Sequence, residues 1–440
     1  MTQKLKHSTI NKFCIGPIGF FLMMNFVGNY YNYFLTDILT ISAATVGTIL
    51  LVARIIDAIA VPVAGGIVEM AHQKWGKYST WLWVAPPLTG IFIALMFTGP
   101  NFQPAVLSFF LGSMYVLAHL TINLAEASQY ALIPVIAQTP ADRILLSSRR
   151  AQAMSAGQLI FGLVAPSLII LLGGNNEGRG IFLTVLFFAI LQMLGYWLVA
   201  KVAQPFDGAK TASSTSNISL KDMALQVVTN RPLFILIVAE ILRWTANIVI
   251  GNFAVYYFKY VAQNQALIAV FFTCSSIATF LGSAVGQFVT QKLTKKQSWY
   301  IGMSINFLAL IPARIFAHNT VLFITFAAVA AVGHAIVMNL SAAFFADVAE
   351  YTQHKTQKDA KGVIMSLNSL PIKISVALSG AIAGYSLALI GYDPSVAVTS
   401  RIIEGIISFS TLIPAFFAFI SILAIKFYPL PDRIQDLSEA

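Results

Sequence analysis

Apolar runs long enough to cross a bilayer recur twelve times along this 440-residue chain. A helix needs about 20 apolar residues to span, and inside hydrocarbon only a helix of this kind satisfies its own backbone polar groups. The first six runs cover 13–35, 45–70, 81–99, 104–136, 151–173 and 181–202. The second six cover 232–259, 265–291, 298–317, 319–349, 361–391 and 402–428. With 58% hydrophobic and only 10% charged residues, the chain has too little polar surface for a soluble globule. The expected fold is an all-α integral membrane protein whose first run is a span and not a cleaved signal peptide, because no small-residue cleavage site follows it.

Between the two sets lies the longest polar stretch, rich in Ser and Thr around Gly208 to Asp222. It reads as a flexible linker. The expected division is a six-helix bundle over 1–203, a cytoplasmic linker over 204–230, a second six-helix bundle over 231–428 and a cytoplasmic tail over 429–440. A faint internal repeat supports two halves. Tyr33, Phe34, Leu35 and Thr36 end the first run as Tyr256, Tyr257, Phe258 and Lys259 end the seventh, each preceded by an Asn, at Asn29 and Asn252.

Twenty of the 27 Lys and Arg residues flank the spans on one side, among them Lys74, Lys77, Arg143 and Arg150. Only Arg179, Lys259, Arg314 and Arg401 fall on the other. The bias places both termini in the cytoplasm of a multi-pass protein of the cell membrane. It also accounts for the net charge of +10 without nucleic acid, since no basic patch interleaves with aromatics.

The residues that do not belong in hydrocarbon carry the functional signal. Arg54 and Asp57 stand three apart inside the second run, and a charge placed there must face a protein interior or a wet path and find a partner. His119, Asn123, Glu126 and Tyr130 repeat at helical spacing on the fourth run, as do Asn25, Asn29 and Asn32 on the first. Glu240, Arg243 and Asn247 do so on the seventh, and Ser366, Ser369 and Lys373 on the eleventh. Such stripes converge on a shared polar interior, the architecture of a transporter. For the Asn residues, helix-to-helix hydrogen bonding is the competing reading, and for Glu240 with Arg243 it is a mutually neutralised structural pair. His119 and His334 read equally as hydrogen-bonded interior residues. Tyr130 is either core or a face for stacking a sugar ring.

Other classes find no support. Cys14 and Cys274 sit alone in apolar runs, so metal and disulfide chemistry are not expected, and no cofactor is. There is no ring of like charge for a channel filter and no nucleophile, base and orienting group for an enzyme.

The segment Arg54 to Pro62, RIIDAIAVP, followed by WGKYSTW at 75–81, resembles the RxxDAxxDP and WGKxxxW signature of the glycoside-pentoside-hexuronide:cation symporters, the melibiose permease group of the major facilitator superfamily. YALIP from Tyr130 to Pro134 with Arg143 and Arg150, the linker exit Asn230 to Leu233, YYFKY from Tyr256 and ADVAEY from Ala346 extend the resemblance over the chain. It implies twelve transmembrane helices in two pseudosymmetric six-helix bundles, a sugar site at mid-membrane and alternating access. On matched positions it implies sugar binding by Glu126, Tyr130, Arg150 and Lys373, with Asn29 and His119 added from their stripes. Asp57 matches the first cation-site carboxylate, with Arg54 and Asn123 beside it.

Three positions depart from the family pattern. Val61 replaces the second Asp of the signature, Ala60 a frequent Asn, and Phe21 the Asp that melibiose-type members carry on the first helix. A sodium ion wants several oxygens, so the expected coupling ion is the proton rather than sodium. Fewer acids beside Arg54, Arg150, Arg243 and Lys373 also open the cavity to anionic, uronide-type sugars. The expected function is import of a glycoside, pentoside or hexuronide through the lipid bilayer, the alternatives being an exchanger or uniporter and a sugar sensor on the same scaffold.

Cysteines introduced at Lys74 or Lys77 are expected to react with an impermeant maleimide only after the membrane is permeabilised. Labelling in intact cells would reverse the orientation.

Overall fold

The computed structural model describes residues 7–70, 75–137, 140–207, 230–356, 364, 367–394, 396 and 398–430. Lys74, Ser366, almost all of the 204–230 linker and the tail beyond 430 lie outside the described residues. No strand occurs among the described residues. The chain divides into two compact units, 1–214 and 215–440.

The first unit contains α1 (His7–Ile15), α2 (Ile18–Tyr33), α3 (Ala43–Met70), α4 (Ser79–Met96), α5 (Pro104–Ile136), α6 (Pro140–Gly173) and α7 (Glu177–Asp207). The second contains α8 (Arg231–Tyr256), α9 (Leu267–Lys292), α10 (Lys295–Ile315), α11 (Thr320–Met338), α12 (Ser341–Thr356), α13 (Leu370–Leu389) and α14 (Ser400–Lys426). Because α1 runs on into α2 and α11 into α12, each unit makes six helical passages. Among the described residues, ten passages are long and apolar enough by themselves to cross a membrane. The other two are α3, whose apolar run carries Arg54 and Asp57, and α10, which carries Lys295, Lys296 and Arg314.

Helix boundaries follow local chemistry. Pro104 sits in the first turn of α5, where a missing N–H breaks no bond. Asn230 caps α8 by accepting from Leu233 N, and its amide donates to Thr352 Oγ1 at 2.6 Å, tying α8 to α12. Thr294 and Gln297 form a reciprocal capping box on α10. One boundary differs from the sequence reading in a way that matters. The fifth passage starts at Pro140, not near 151, because DRILLSSRR contains no helix breaker; Arg149 and Arg150 are therefore interior to α6.

The repeat seen in sequence has a backbone counterpart. The first passage of each unit ends in a π-helical turn, Phe34–Ile38 and Tyr257–Val261. Leu39 N donates to Phe34 O at 3.0 Å and Ala262 N to Tyr257 O at 2.9 Å. A positive-φ residue follows in each, Thr40 at 53° and Gln263 at 51°. Phe34 thus matches Tyr257, Leu35 matches Phe258 and Thr40 matches Gln263.

Aromatic packing fills the first unit: Phe26 stacks on Tyr30 and meets Phe97 and Phe188 edge-on, and Tyr31 stacks on Tyr115. The core of the second unit gathers around Trp299, Met303, Phe344 and Phe345, all buried.

The WGKYSTW segment is held by a residue that sequence reasoning placed in the linker. Helix α7 runs past Ala203 to Asp207, and the buried Asp207 carboxylate accepts from Tyr78 N at 2.9 Å and Ser79 N at 2.6 Å. An anion at the N-terminus of α4 satisfies two backbone donors and opposes the positive end of the helix dipole. Gly76 has φ of 103°, and a Cβ there would collide with the Asp207 carboxylate, so the turn requires glycine. Asp207→Ala is expected to cost about 1–3 kcal/mol, the penalty for orphaning buried donors, and to lower the melting temperature in detergent; Asp207→Asn should fall between. An unchanged melting curve for both would show that the clasp contributes nothing.

Candidate functional site

The polar side chains of the first unit form two clusters that share α5. Its helical repeat puts Asn123 and Glu126 on one face, about one turn apart.

In the lower-numbered cluster, Arg54 on α3 pairs with Asp57 through Nη1 and Oδ2 at 3.3 Å, and Asn123 Nδ2 donates to Asp57 Oδ1 at 2.7 Å. The guanidinium lies over the Tyr115 ring, 5.0 Å from its centroid, and His119 stacks on the same ring with 4.2 Å between centroids. A His119 ring nitrogen, Nδ1, lies 2.9 Å from Tyr115 O. Asp57 thus accepts from two donors and is only 5% exposed.

In the second cluster, Arg150 on α6 reaches α5. Its Nη2 donates to Glu126 Oε2 at 3.1 Å and to Gln129 Oε1 at 3.4 Å, and its Nη1 to Tyr130 Oη at 2.8 Å. Tyr196 on α7 donates to Glu126 Oε1 at 2.7 Å. The guanidinium also lies 4.3 Å from the Tyr130 ring centroid and 5.6 Å from that of Phe21 on α2. Gly157 permits this last approach: a Cβ there would stand 2.9 Å from Phe21 Cβ, so only glycine lets α2 close on α6. Arg150 Nε and Gln129 Nε2 are buried donors with no partner, and Tyr130 is 52% exposed. The cluster therefore offers partly exposed carboxylate oxygens on Glu126 and an exposed Tyr130 ring, groups that suit the hydroxyls and the C–H face of a sugar.

The structure thus brings Glu126, Tyr130 and Arg150 together, and separately Arg54, Asp57 and Asn123, with His119 joining the latter through Tyr115. Asn29 bonds to neither group; its Nδ2 donates to Asn25 O at 2.7 Å in its own helix. Lys373 stands on α13 in the second unit, two residues beyond Pro371. Tyr196 and Gln129 were missed by sequence reasoning. Tyr196 was legible, since Gln192 and Tyr196 form a polar pair at i, i+4 in an apolar helix. Val61 has no described side chain.

In the second unit the buried pair Glu240 and Arg243 meets at 2.5 Å. Arg243 also faces the His334 ring nitrogens at 3.3 and 3.4 Å and lies over Trp244, while Ser341 donates to Glu240. Ser341 opens α12, so this cluster pins α8 to the break between α11 and α12. No group of three or more His, Cys, Asp and Glu arranged for a metal occurs among the described residues.

Residues 12–432 match the family model described as MFS/sugar transport protein. The chain belongs to this family. It is a glycoside-pentoside-hexuronide:cation symporter family member of the major facilitator superfamily, a multi-pass membrane transporter and not an enzyme. It is 26% identical to the isoprimeverose transporter of Lactiplantibacillus pentosus, over 95% of this chain and 88% of that one. It is also 26% identical to the glucuronide carrier protein homolog of Escherichia coli strain K12, over 98% and 94%. Among solved structures, a bacterial homologue of the iron transporter ferroportin in the inward-facing state superposes with a TM-score of 0.71 at 15% identity, covering 96% of this chain and 98% of that one. The D-xylose-proton symporter superposes at 0.66 with 13% identity, covering 96% and 98%. These likenesses establish the fold.

For a transporter of this family the Glu126–Arg150 pair carries a stability cost if broken singly. Glu126→Ala leaves a guanidinium that is only 11% exposed without its counter-ion and should destabilise the protein by about 3–5 kcal/mol. In a double-mutant cycle with Arg150→Gln, a coupling energy of about 1–3 kcal/mol is expected, read from thermal or chemical melting. Additive losses would mean that the two do not act as a pair.

Proposed function

We propose that this chain is a secondary active sugar transporter that imports a glycoside, pentoside or hexuronide together with a proton, across the cell membrane, with both termini in the cytoplasm. The observation that carries the reading is the Glu126–Arg150 cluster, in which a charged pair is held by Tyr196 and Gln129 while Glu126 keeps 20% exposure beside an exposed Tyr130. Glu126 and Arg150 accept from and donate to sugar hydroxyls and Tyr130 stacks on the ring, and Lys373 is a further sugar-binding residue of this reading. The proximity of Asn123 to Glu126 on α5 supports a route by which Asp57 senses sugar: a shift of α5 on binding alters the Asn123 bond to Asp57. Protonation of Asp57 in turn releases Arg54. The relatives that transport isoprimeverose and that are named for glucuronide fit such a substrate class.

The bonds that Arg54 and Asn123 make to Asp57 favour a second reading, in which this group is a permanent structural lock and the protein is an exchanger or uniporter. The energetics separate the two. Cotransport of one positive charge with a neutral sugar gains about 2.3 kcal/mol per 100 mV, about fifty-fold accumulation, whereas a uniporter gains nothing.

Counterflow in proteoliposomes with labelled glycosides, pentosides and uronides identifies the substrate. Glu126→Gln should then weaken its binding by about ten- to a hundred-fold. With an inside-alkaline or inside-negative gradient, the wild type should concentrate a neutral sugar and ignore sodium. Asp57→Asn should abolish accumulation and spare sugar-for-sugar exchange, because exchange never requires the empty carrier to return with its proton released. Loss of both activities in a folded protein favours the lock. Sodium stimulation at constant pH rejects proton coupling, and unchanged affinity in Glu126→Gln rejects the sugar site.

A further inference from the structure

Helices α4 and α7 enclose a groove of about 320 Å³ on the first unit. Its origin lies in α4, where Pro86, Pro87 and Gly90 replace the bulky side chains that would otherwise close the seam. A Cβ on Gly90 would meet Ala189 Cβ at 3.5 Å and Ala189 O at 3.9 Å, both ordinary contacts. The groove runs from Pro86 and Met193 at one end to Thr98 and Phe182 at the other. From Pro86 to Met96 the helix rises about 15 Å, the depth of one leaflet of the hydrocarbon core. Since α4 itself ends at Met96, the Thr98 end lies at the membrane edge and the Pro86 end near the midplane.

The two ends differ in chemistry. About one turn beyond the midplane end, an aromatic pair joins the same two helices: Trp197 Nε1 donates to Trp83 O at 3.0 Å, with ring centroids 5.7 Å apart. The edge end leads toward Arg179, an exposed base in the first turn of α7. Arg179, Phe182, Leu186 and Met193 follow one another at helical spacing, so the base stands on the face that forms the groove wall, one turn beyond the last apolar lining residue. It is one of only four bases that the sequence assigns to that side of the membrane.

We infer that this groove is a binding site for one phospholipid, with an acyl chain seated between α4 and α7 and the phosphate on Arg179. The seam is apolar, opens where Ile91 and Ile190 are exposed to the hydrocarbon, is as deep as one leaflet, and ends one helical turn short of the exposed base Arg179. An acyl chain in such a seam completes the packing that the prolines and glycine leave open. A second copy of the chain would fit the apolar length equally but would bring its own Arg179 against this one or leave the charge unmatched.

Native mass spectrometry of the detergent-solubilised protein titrated with phosphatidylglycerol tests the site. One adduct should fill before any other, Arg179→Gln should weaken it about fivefold, and Lys259→Gln should leave it unchanged. Gly90→Leu, which fills the groove, should remove it. Should that variant fail to fold, phosphatidylglycerol brominated near its chain ends reports on the unsubstituted protein: quenching of tryptophan fluorescence should saturate at about one lipid per chain. A ladder of adducts identical in all variants overturns the proposal, as does quenching that rises in proportion to lipid without saturating. A dimer that dissociates in Gly90→Leu while the adducts persist overturns it in favour of a protein interface.

Discussion

Charge placed in hydrocarbon must be neutralised, and in the first unit this requirement determines which helices touch through polar contacts. Arg54 and Asp57 are both on α3, but the carboxylate is completed only by Asn123 of α5. Glu126 on α5 draws Arg150 from α6 and Tyr196 from α7. Helix α5 is therefore a spine whose polar face collects three neighbours, and its aliphatic remainder packs against α3 and α4. Apolar contacts alone would be poorly discriminating among membrane helices, since lipid is as apolar as leucine; the polar bonds fix register.

The fold was legible because its signal is long and repeated. Twelve apolar runs, a Ser- and Thr-rich interruption and twin Tyr-rich span ends need no fine detail to be read. Site detail was legible where spacing encodes it, as with the α5 stripe from His119 to Tyr130. It was not legible where the partner comes from a distant helix with no pattern of its own. Gln129 looks like an ordinary neighbour of Tyr130 until Arg150 arrives beside it. Arg150 itself read as a flanking base because hydropathy marks where a chain becomes apolar, whereas the helix begins ten residues earlier at Pro140. Asp207 was hidden for a similar reason: its role depends on the φ of Gly76 and on two amides at the start of α4, none of which hydropathy records.

The two ion-pair environments also divide labour between rigidity and access. Glu240 and Arg243 in the second unit are enclosed by His334, Trp244 and Ser341 and are at most 1% exposed, so they act as a fixed joint at a helix break. Glu126 retains 20% exposure and its neighbour Tyr130 far more, so that pair can exchange partners without first unfolding its surroundings. The first pair stands at i, i+3 on one helix and the second 24 residues apart on α5 and α6, yet both are carboxylate–guanidinium pairs. Burial separates them.

The π-helical turns at Phe34–Ile38 and Tyr257–Val261 have a historical consequence. Each is an α-helix widened by an inserted residue, and an insertion displaces every side chain beyond it by about 100° around the helix axis. Two such insertions arising independently would have had to strike the same register and be followed by the same left-handed residue, Thr40 in one copy and Gln263 in the other. A gene duplication that copied a six-helix ancestor already carrying the insertion needs only one event. The kink at the end of the first passage is then older than the two-unit protein, and older than whatever sugar preference the two copies have since acquired.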